Sequence, residues 1–489
     1  TDGHLQERVT KDKIYYSASF CVGEEPDVYQ LTDDIAKLGF GNSSVQRRVT
    51  KIQGRMYART WEVSSNGVFA YLLVLLGGII GKKTNVERVV PEWLLTAEKS
   101  IKREYLSAFQ GGDGSRLSYQ KNGDTWKPCM GMTYQSTRNH LLENAFSLLF
   151  GAYYFQDEKL YNKSMDLLIS ELNEQVLEDG AHFELSPMYH QIILSRLLDC
   201  IQLIKLNSEW KKDELLLFLE TKAGSMISWL KNITYSNGEI PMVNDATYGI
   251  APQSNELFSY AEEIGITYQQ ISLSDSGYRK IRTNNFELFI DVGNVGPNYQ
   301  PGHAHSDTLN FELVKYGKPI FVDTGVSTYE KNDKRQGERS THSHNTVKIG
   351  SKDQTQVWGG FRVAKRARIT HLIDKPNLIE ASHDGYLSDG YKHTRSFLWG
   401  EKYLILSDEI NRSTSNKANA YFHLHSSVTK PLVDGNTIIL ESSGVSIEFE
   451  RASNICIEEY QLSAGFNKTN LAYKIVVLFD QKLKTKISL

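Results

Sequence analysis

The chain has 489 residues, of which 40% are hydrophobic and 23% charged. That is the profile of an ordered globular protein with length for more than one domain and a large core. A net charge of −3 supplies no global basic field for nucleic acid, and the dispersed cysteines Cys21, Cys129, Cys200 and Cys456, with no CxxC pair, exclude a zinc ribbon and a disulfide-dense scaffold.

In chain order, the first 60 residues give mixed signals, and no signal-peptide pattern stands at Thr1. The longest apolar run, Val68–Gly81, is too short to span a bilayer and reads as a buried helix. Pro91–Phe109 is expected as a helix with Pro91 at its first position. Residues 110–128, rich in Gly, Asp, Ser and Lys, read as a loop. Helical periodicity then dominates over Asn139–Phe155, Lys159–Leu177, Pro187–Leu206 and Asp213–Leu230. Ser186 and Pro187 give the third of these an N-cap and a favourable first residue. Short loops between them predict antiparallel helical hairpins.

The pattern changes near residue 275. Short β-branched or aromatic runs bounded by Gly, Asn, Asp or Ser follow at Phe286–Val292, Leu309–Tyr316, Pro319–Asp323, Thr346–Gly350, Ala367–Leu372 and Leu378–Ser382. They continue at Arg395–Trp399, Tyr403–Asp408, Ala418–Leu424, Thr437–Glu441, Val445–Glu450 and Tyr473–Asp480. With no helices between them, an antiparallel sandwich is expected. The division is therefore a helical domain over 1–272 and a β-sandwich over 273–489.

Of 13 histidines, 12 lie after residue 139. His303, His305, His342 and His344 fall close together, with Asp323 on an intervening strand. Two imidazoles and a carboxylate on adjacent strands suit a divalent ion such as zinc; the same residues also fit a loop without metal. Asn139, His140 and Glu143 share one surface at the start of a helix, where Asn139 also fits a simple cap. Tyr189 lies in the first turn of a helix, where the dipole favours a phenolate; it also fits a packed helix end. His182 and His190 flank it as supporting residues.

Asn-His-Leu-Leu-Glu-Asn (139–144), Asp-Gly-Ala-His-Phe-Glu-Leu-Ser-Pro-Met-Tyr-His (179–190), Pro-Met-Val-Asn-Asp (241–245), Gly-His-Ala-His-Ser-Asp (302–307), Arg-Ser-Thr-His-Ser-His-Asn-Thr (339–346) and Trp-Gly-Gly-Phe-Arg-Val (358–363) together resemble the heparinase II/III-like polysaccharide lyases, a family that also includes alginate lyases. The resemblance covers about 139–410 and leaves 1–135 unmatched. It implies an incomplete (α/α) toroid followed by an antiparallel β-sandwich, with the active site in the cleft between them. It implies β-elimination of a uronic-acid-containing polysaccharide. Carried over by motif, Asn139 neutralises the uronate carboxylate, His140 and Glu143 line the site, Tyr189 is the acid and in some members the base, and His303 reaches in from the sheets. His305, Asp323 and His344 match the metal ligands, for zinc, calcium or manganese in a mainly structural role.

The chemistry explains the residue types. The C5 proton of a uronate is weakly acidic, so a donor must stabilise the developing negative carboxylate. A base then takes the proton and an acid protonates the leaving oxygen. Arg339 is a candidate for bidentate binding of a carboxylate or sulfate, or for a salt bridge in the metal loop. Glu184 and Trp358 complete the substrate-binding candidates, although Trp358 also fits simple sheet packing, and His342 reads as a solvated loop residue. The basic stretch Arg362, Lys365, Arg366 and Arg368 fits a polyanion or a solvated strand. Heparan sulfate or another glycosaminoglycan is the expected substrate, with alginate or a bacterial exopolysaccharide as alternatives. Two rivals are a glycoside hydrolase using Asp179 and Glu184 and a non-catalytic polysaccharide-binding or assembly protein. The expected partner is an acidic polysaccharide, with no nucleic acid and no membrane span. A periplasmic or secreted location rests on that substrate alone.

Overall fold

The structure is a computed structural model of the chain. It describes most of residues 2–76, short stretches between 80 and 129, and residues 139–489 apart from 208, 211–213, 298–300 and 416. The chain divides into two compact units, Thr1–Thr137 and Arg138–Leu489.

The first unit contains β1 (Asp2–Thr10), β2 (Lys13–Val22), α1 (Glu25–Lys37), β3 (Ser44–Ile52), β4 (Arg55–Ser64), α2 (Gly67–Leu75), β5 (Ser118–Asn122) and β6 (Thr125–Cys129). The strands β1-β2-β4-β3 form one antiparallel sheet. Its core includes Val28, Ile35, Val63 and Phe69. The helical reading of 1–272 therefore does not extend over 2–64, where two hairpins joined by a helix supply the structure. The apolar run near Val68 is only half buried: Phe69 and Ala70 face inward, but Val68 is 67% exposed and Leu75 62%. Part of the segment read as a loop is the β5–β6 hairpin. The helix expected over Pro91–Phe109 lies, apart from isolated positions, outside the described residues.

The second unit opens with α3 (Asn139–Phe155), α4 (Glu158–Gln175), α5 (Pro187–Leu206), α6 (Glu214–Ile233) and α7 (Ser254–Glu263). Helix α3 packs on α4 and α5 on α6. Ser186 caps α5, its Oγ accepting from Tyr189 N at 3.3 Å, and Pro187 occupies the first turn. No described helix is long and apolar enough to cross a membrane.

The sheets follow in antiparallel order. Strands β7 (Tyr278–Arg282), β8 (Phe286–Asp291), β9 (Phe311–Lys315) and β10 (Lys318–Phe321) form a sheet ordered β10-β9-β8-β7. After α8 (Asp333–Arg339) come β11 (Val347–Ile349), the ribbon of β12 (Val357–Trp358) and β13 (Arg362–Val363), and then β14 (Ile369–Lys375), β15 (Leu378–His383), β16 (His393–Gly400), β17 (Tyr403–Ile410) and β18 (Ala418–His423). The chain ends with β19 (Leu432–Asp434), β20 (Thr437–Leu440), β21 (Val445–Glu450), β22 (Asn454–Gly465), β23 (Lys468–Phe479) and β24 (Lys482–Ser488). They give a sheet β11-β18-β23-β22 and an eight-stranded sheet β14-β15-β16-β17-β24-β21-β20-β19.

Every residue of β8 is buried, because its sheet is covered on both faces. Phe289, with Tyr278 and Val314, packs into the helical core, whereas Leu288, Ile290, Phe311 and Leu313 join the sandwich core. Alternation along the strands sends these two sets to opposite sides. The sheet thus touches helices on one face and the sandwich interior on the other.

One tight approach fixes the loop ahead of α5. Gly180 has φ +85°, and a Cβ there would sit 2.2 Å from Ser225 O. We expect Gly180→Ala to cost about 3 kcal/mol, from the left-handed backbone and the backbone clash together. A loss below about 1 kcal/mol in urea denaturation would overturn this account of the loop.

Candidate active site

The loop 179–186 is held from beneath. Asp179 Oδ2 accepts from Ser274 N at 3.1 Å, Ser276 N at 3.0 Å and Ser276 Oγ at 2.6 Å. Its carboxylate is buried in these bonds and fastens the loop to the start of the sheets. His190 Nε2 lies 3.0 Å from Met226 O, its Nδ1 accepts from His182 N at 3.2 Å, and its ring lies 4.4 Å from that of Trp229. His182 Nε2 lies 3.2 Å from Gln175 Oε1. Both histidines support the loop. Ser186, besides capping α5, donates to Asp245 O at 2.7 Å, so one hydroxyl ties the Tyr189 turn to the 244–246 loop.

Tyr189 meets His303 at the layer boundary, their ring centroids 4.1 Å apart. His303 Nδ1 is 2.8 Å from Asp245 Oδ2, and His303 Nε2 is 3.8 Å from Glu184 Oε2. An ionised Asp245 only accepts, so the proton of a neutral His303 sits on Nδ1 and Nε2 carries the lone pair. Arg335 pairs with both oxygens of Asp245, Nη2 donating to Oδ2 at 2.7 Å. His305 Nε2 adds a contact to Oδ1 at 2.8 Å. Burial alone would raise the pKa of Asp245; Arg335 and the two histidines outweigh it and hold the carboxyl well below its usual value. Tyr329 OH is 3.1 Å from Tyr189 OH. Burial pushes the Tyr189 phenol up to about 12, so it is neutral and able to donate near pH 7. Phe361 closes the site with ring centroids 5.9 Å from His303 and 5.3 Å from Tyr329, and the Arg335 guanidinium lies over both Tyr329 and Phe361.

Beside this cluster, Asp307, Asp323 and His344 bring their ligand atoms within 4.8 Å of one another, all buried. His344 Nδ1 is 2.8 Å from Asp323 Oδ2. Asp307 Oδ2, His344 Nε2 and His305 Nδ1 are buried without a hydrogen-bond partner, and burial pushes Asp307 up to about 6. Carboxylate and imidazole atoms left unpaired in a closed space fit a divalent ion. The group differs from the expected His305, Asp323 and His344 set. Asp307 takes a corner, and His305 commits Nε2 to Asp245 while its ring stands 5.3 Å from that of His344.

The other sequence candidates fall as follows. Asn139 and His140 open α3, but their side chains lie outside the described residues. Glu143 is half-buried, 3.8 Å from Arg196 Nε. Glu184 is buried against His303. Arg339 does not reach toward a ligand: it is fully buried, donating to Ala304 O at 2.9 and 3.3 Å, to Arg362 O at 3.3 Å and to Trp358 O at 3.5 Å. It fastens the His303 loop to the β12–β13 ribbon. Trp358 is half-buried on that ribbon, its Nε1 without a hydrogen-bond partner. His342 is half-buried rather than solvated, and burial lowers it to about 4. Asp245, Tyr329 and Arg335 carried no signal as site residues in the sequence; only the motif Pro-Met-Val-Asn-Asp contained one of them.

A family model described as the heparinase II/III N-terminus matches residues 119–264, and one described as heparinase II/III-like, C-terminal, matches residues 266–489. The heparin-sulfate lyase of Bacteroides thetaiotaomicron is 25% identical over 379 residues, 67% of this chain and 51% of that protein. The heparin-sulfate lyase of Pedobacter heparinus is 24% identical over 379 residues, 68% of this chain and 54% of that protein. A solved heparinase III superposes with a TM-score of 0.57 at 18% identity, covering 73% of this chain and 60% of that one. The chain thus spans about half the length of the curated relatives it matches, and the structural likeness speaks for the fold.

Two stability outcomes follow from this geometry. Asp245→Ala leaves Arg335 buried without its counter-charge, and a loss of about 3–5 kcal/mol in chemical denaturation is expected; a loss under about 1 kcal/mol would contradict the role given to Asp245. Burial lowers His190 to about 3 in the folded state, against about 6.5 unfolded. Between these values the unfolded chain binds the extra proton, so stability falls as pH drops below about 6.5, by up to about 1.4 kcal/mol per pH unit from this residue. The slope of denaturation midpoint against pH should therefore be shallower in a folded His190→Gln variant than in the wild type.

Proposed function

The chain belongs to the heparinase II/III-like family, and from that membership and its site we propose that it is a polysaccharide lyase acting on a uronic-acid-containing polysaccharide by β-elimination. A glycosaminoglycan of the heparan sulfate class is the substrate proposed first, since the curated relatives are named for it. The observation that carries the reading is the meeting of Tyr189, from the helical layer, with His303, from the sheet layer, at 4.1 Å between ring centroids.

The roles follow from the geometry. Asp245 orients His303 so that the Nε2 lone pair is available to take the C5 proton of the uronate. Tyr189, kept neutral by burial, protonates the departing glycosidic oxygen, and Tyr329 holds the phenol by its hydroxyl. Asn139, at the start of α3, is assigned by motif to the uronate carboxylate, where an amide donor stabilises the charge that develops there. Asp307, Asp323 and His344 would hold a divalent ion; bound there, it would neutralise buried carboxylates and cross-link the loops. Turnover of an extracellular polymer favours a periplasmic or secreted location.

The rival hydrolase pair is not supported. Asp179 is occupied by Ser274 and Ser276, so it does not stand free beside Glu184 to act on a glycosidic bond.

The test is ultraviolet absorbance during incubation with heparan sulfate, heparin, chondroitin sulfate, hyaluronan, alginate and an exopolysaccharide. A rise reports the 4,5-unsaturated product and identifies the substrate class. New reducing ends without absorbance would replace the lyase by a hydrolase, and neither signal would favour a binding protein. On the active substrate, Tyr189→Phe is expected to lower kcat about 10²–10⁴-fold with little change in binding. Tyr329→Phe, which removes a single hydrogen bond to the acid, should cost about tenfold. A fully active Tyr189→Phe protein would sink the mechanism.

A further inference from the structure

The sandwich core buries a second group of charges apart from Tyr189. His383 Nε2 is 3.1 Å from His393 Nδ1, and His393 Nε2 is 2.8 Å from Asp408 Oδ1. Arg395 donates to Asp408 from Nε at 2.7 Å and from Nη2 at 3.0 Å. All four side chains are buried. Such a pair is no stability device by itself, because an apolar pair of similar volume does as well or better.

What distinguishes this pair is the remaining nitrogen. Arg395 Nη1 donates to Leu309 O at 3.0 Å and to Asn345 O at 2.6 Å. Leu309 lies two residues beyond Asp307, and Asn345 directly follows His344. Leu309 has φ +67°, a left-handed backbone that a leucine keeps only where its surroundings impose it. The same two segments are laced together by Asn310 and Asn345. Asn345 N donates to Asn310 Oδ1 at 2.8 Å, and Asn310 Nδ2 donates to Asp323 Oδ2 at 2.6 Å. Asn345 Nδ2 reaches Val322 O at 3.0 Å, next to Asp323. One guanidinium therefore grips the backbone on both segments that aim Asp307 and His344 at a common point.

We propose that Arg395, fixed by Asp408, is the positioning residue of the divalent-ion site formed by Asp307, Asp323 and His344. The proposal rests on reading that cluster as an ion site. Arg395 touches neither ion nor substrate. It sets the backbone of the two segments so that the ligand atoms converge, as outer groups do for metal ligands generally.

The experiment compares the full chain with Arg395→Lys and with the double variant Arg395→Met/Asp408→Asn, which removes both charges and leaves His393 an acceptor. Zinc alone is the probe. Its dissociation constant is measured against a chromophoric chelator, and the thermal midpoint is measured without metal. Both variants should bind zinc about 10–100-fold more weakly. The metal-free midpoint of the double variant should fall only by the loss of the bonds to Leu309 O and Asn345 O, since the charges are removed as a pair. If the variants bind zinc as tightly as the wild type, Arg395 is an ordinary core residue and the proposal fails while the ion site stands. If the wild type takes up no zinc, the ion-site reading fails and this one with it. Should the double variant not fold, Arg395→Lys decides, because it keeps the charge and loses the Nη1 group that bonds both carbonyls.

Discussion

A single buried carboxylate, Asp245, organises the site. It lies on no helix or strand, in a loop whose backbone is pinned by Ser186 on one side and by His303 O on the other, the latter accepting from Asp245 N at 3.1 Å. Around it gather Arg335 from α8 and two histidines from the segment before β9. An ion in this position is costly to desolvate, and only the guanidinium together with the imidazole donors makes it tolerable. The return is directional. With both oxygens occupied, His303 has one tautomer and one orientation, and His305 is turned with Nδ1 toward the ion-binding group. His303 and His305, separated by one alanine, are thus held by the same carboxylate.

The helical and sheet layers are joined by a related device. Glu312 Oε1 accepts from Met242 N at 2.9 Å and Asp323 N at 3.0 Å, while Oε2 accepts from Tyr235 OH at 2.8 Å. One side chain therefore fixes the turn after α6, the loop leading to Asp245 and the segment after β10 that carries Asp323. Burial pushes Glu312 up to about 7, which matches a group that gains its stability from hydrogen bonds rather than from a counter-ion. Asp179 does the same work ahead of α5. The loops of the site have little regular structure, and buried carboxylates bonded to backbone N–H groups supply the rigidity that helices and strands give elsewhere.

The helices of the second unit were legible because their signals are local. Asn139–Phe155 and Pro187–Leu206 begin and end where periodicity and the Ser186–Pro187 cap place them. Most of the sandwich strands were legible for the same reason. Strands β22 and β24 escaped: Asn454–Gly465 carries Glu458 and Glu459 in its middle, and Lys482–Ser488 alternates lysines with Leu483, Thr485 and Ile487. Charge on the exposed face hid their inward-facing positions. Helix α7 is short and follows Pro252. In the site, Tyr189 and His303 could be found because they sit in dense motifs. Asp245, Tyr329 and Arg335 could not, because what makes them important is a contact across 58 to 140 positions of sequence. Arg339 misled for the complementary reason. An arginine beside a histidine motif has the composition of an anion site, and only burial shows that its donors are spent on three backbone carbonyls.

This placement of charge also bears on the chemistry. Elimination from a uronate requires a base and an acid near the sugar, with no strongly basic anion competing for the same proton. In the proposed lyase the strongest anion, Asp245, stands behind His303 and is neutralised by Arg335, with a phenol and an imidazole as the proposed acid and base. Glu184 is buried, with Oε2 3.8 Å from His303 Nε2. A hydrolase inverts that layout, with two carboxyl groups facing the bond. The aromatic wall of Tyr329, Phe361 and Phe466, whose rings contact one another through Tyr329 at 5.3 and 4.9 Å, lowers the local dielectric around the pair. There burial keeps the Tyr189 phenol neutral and able to donate.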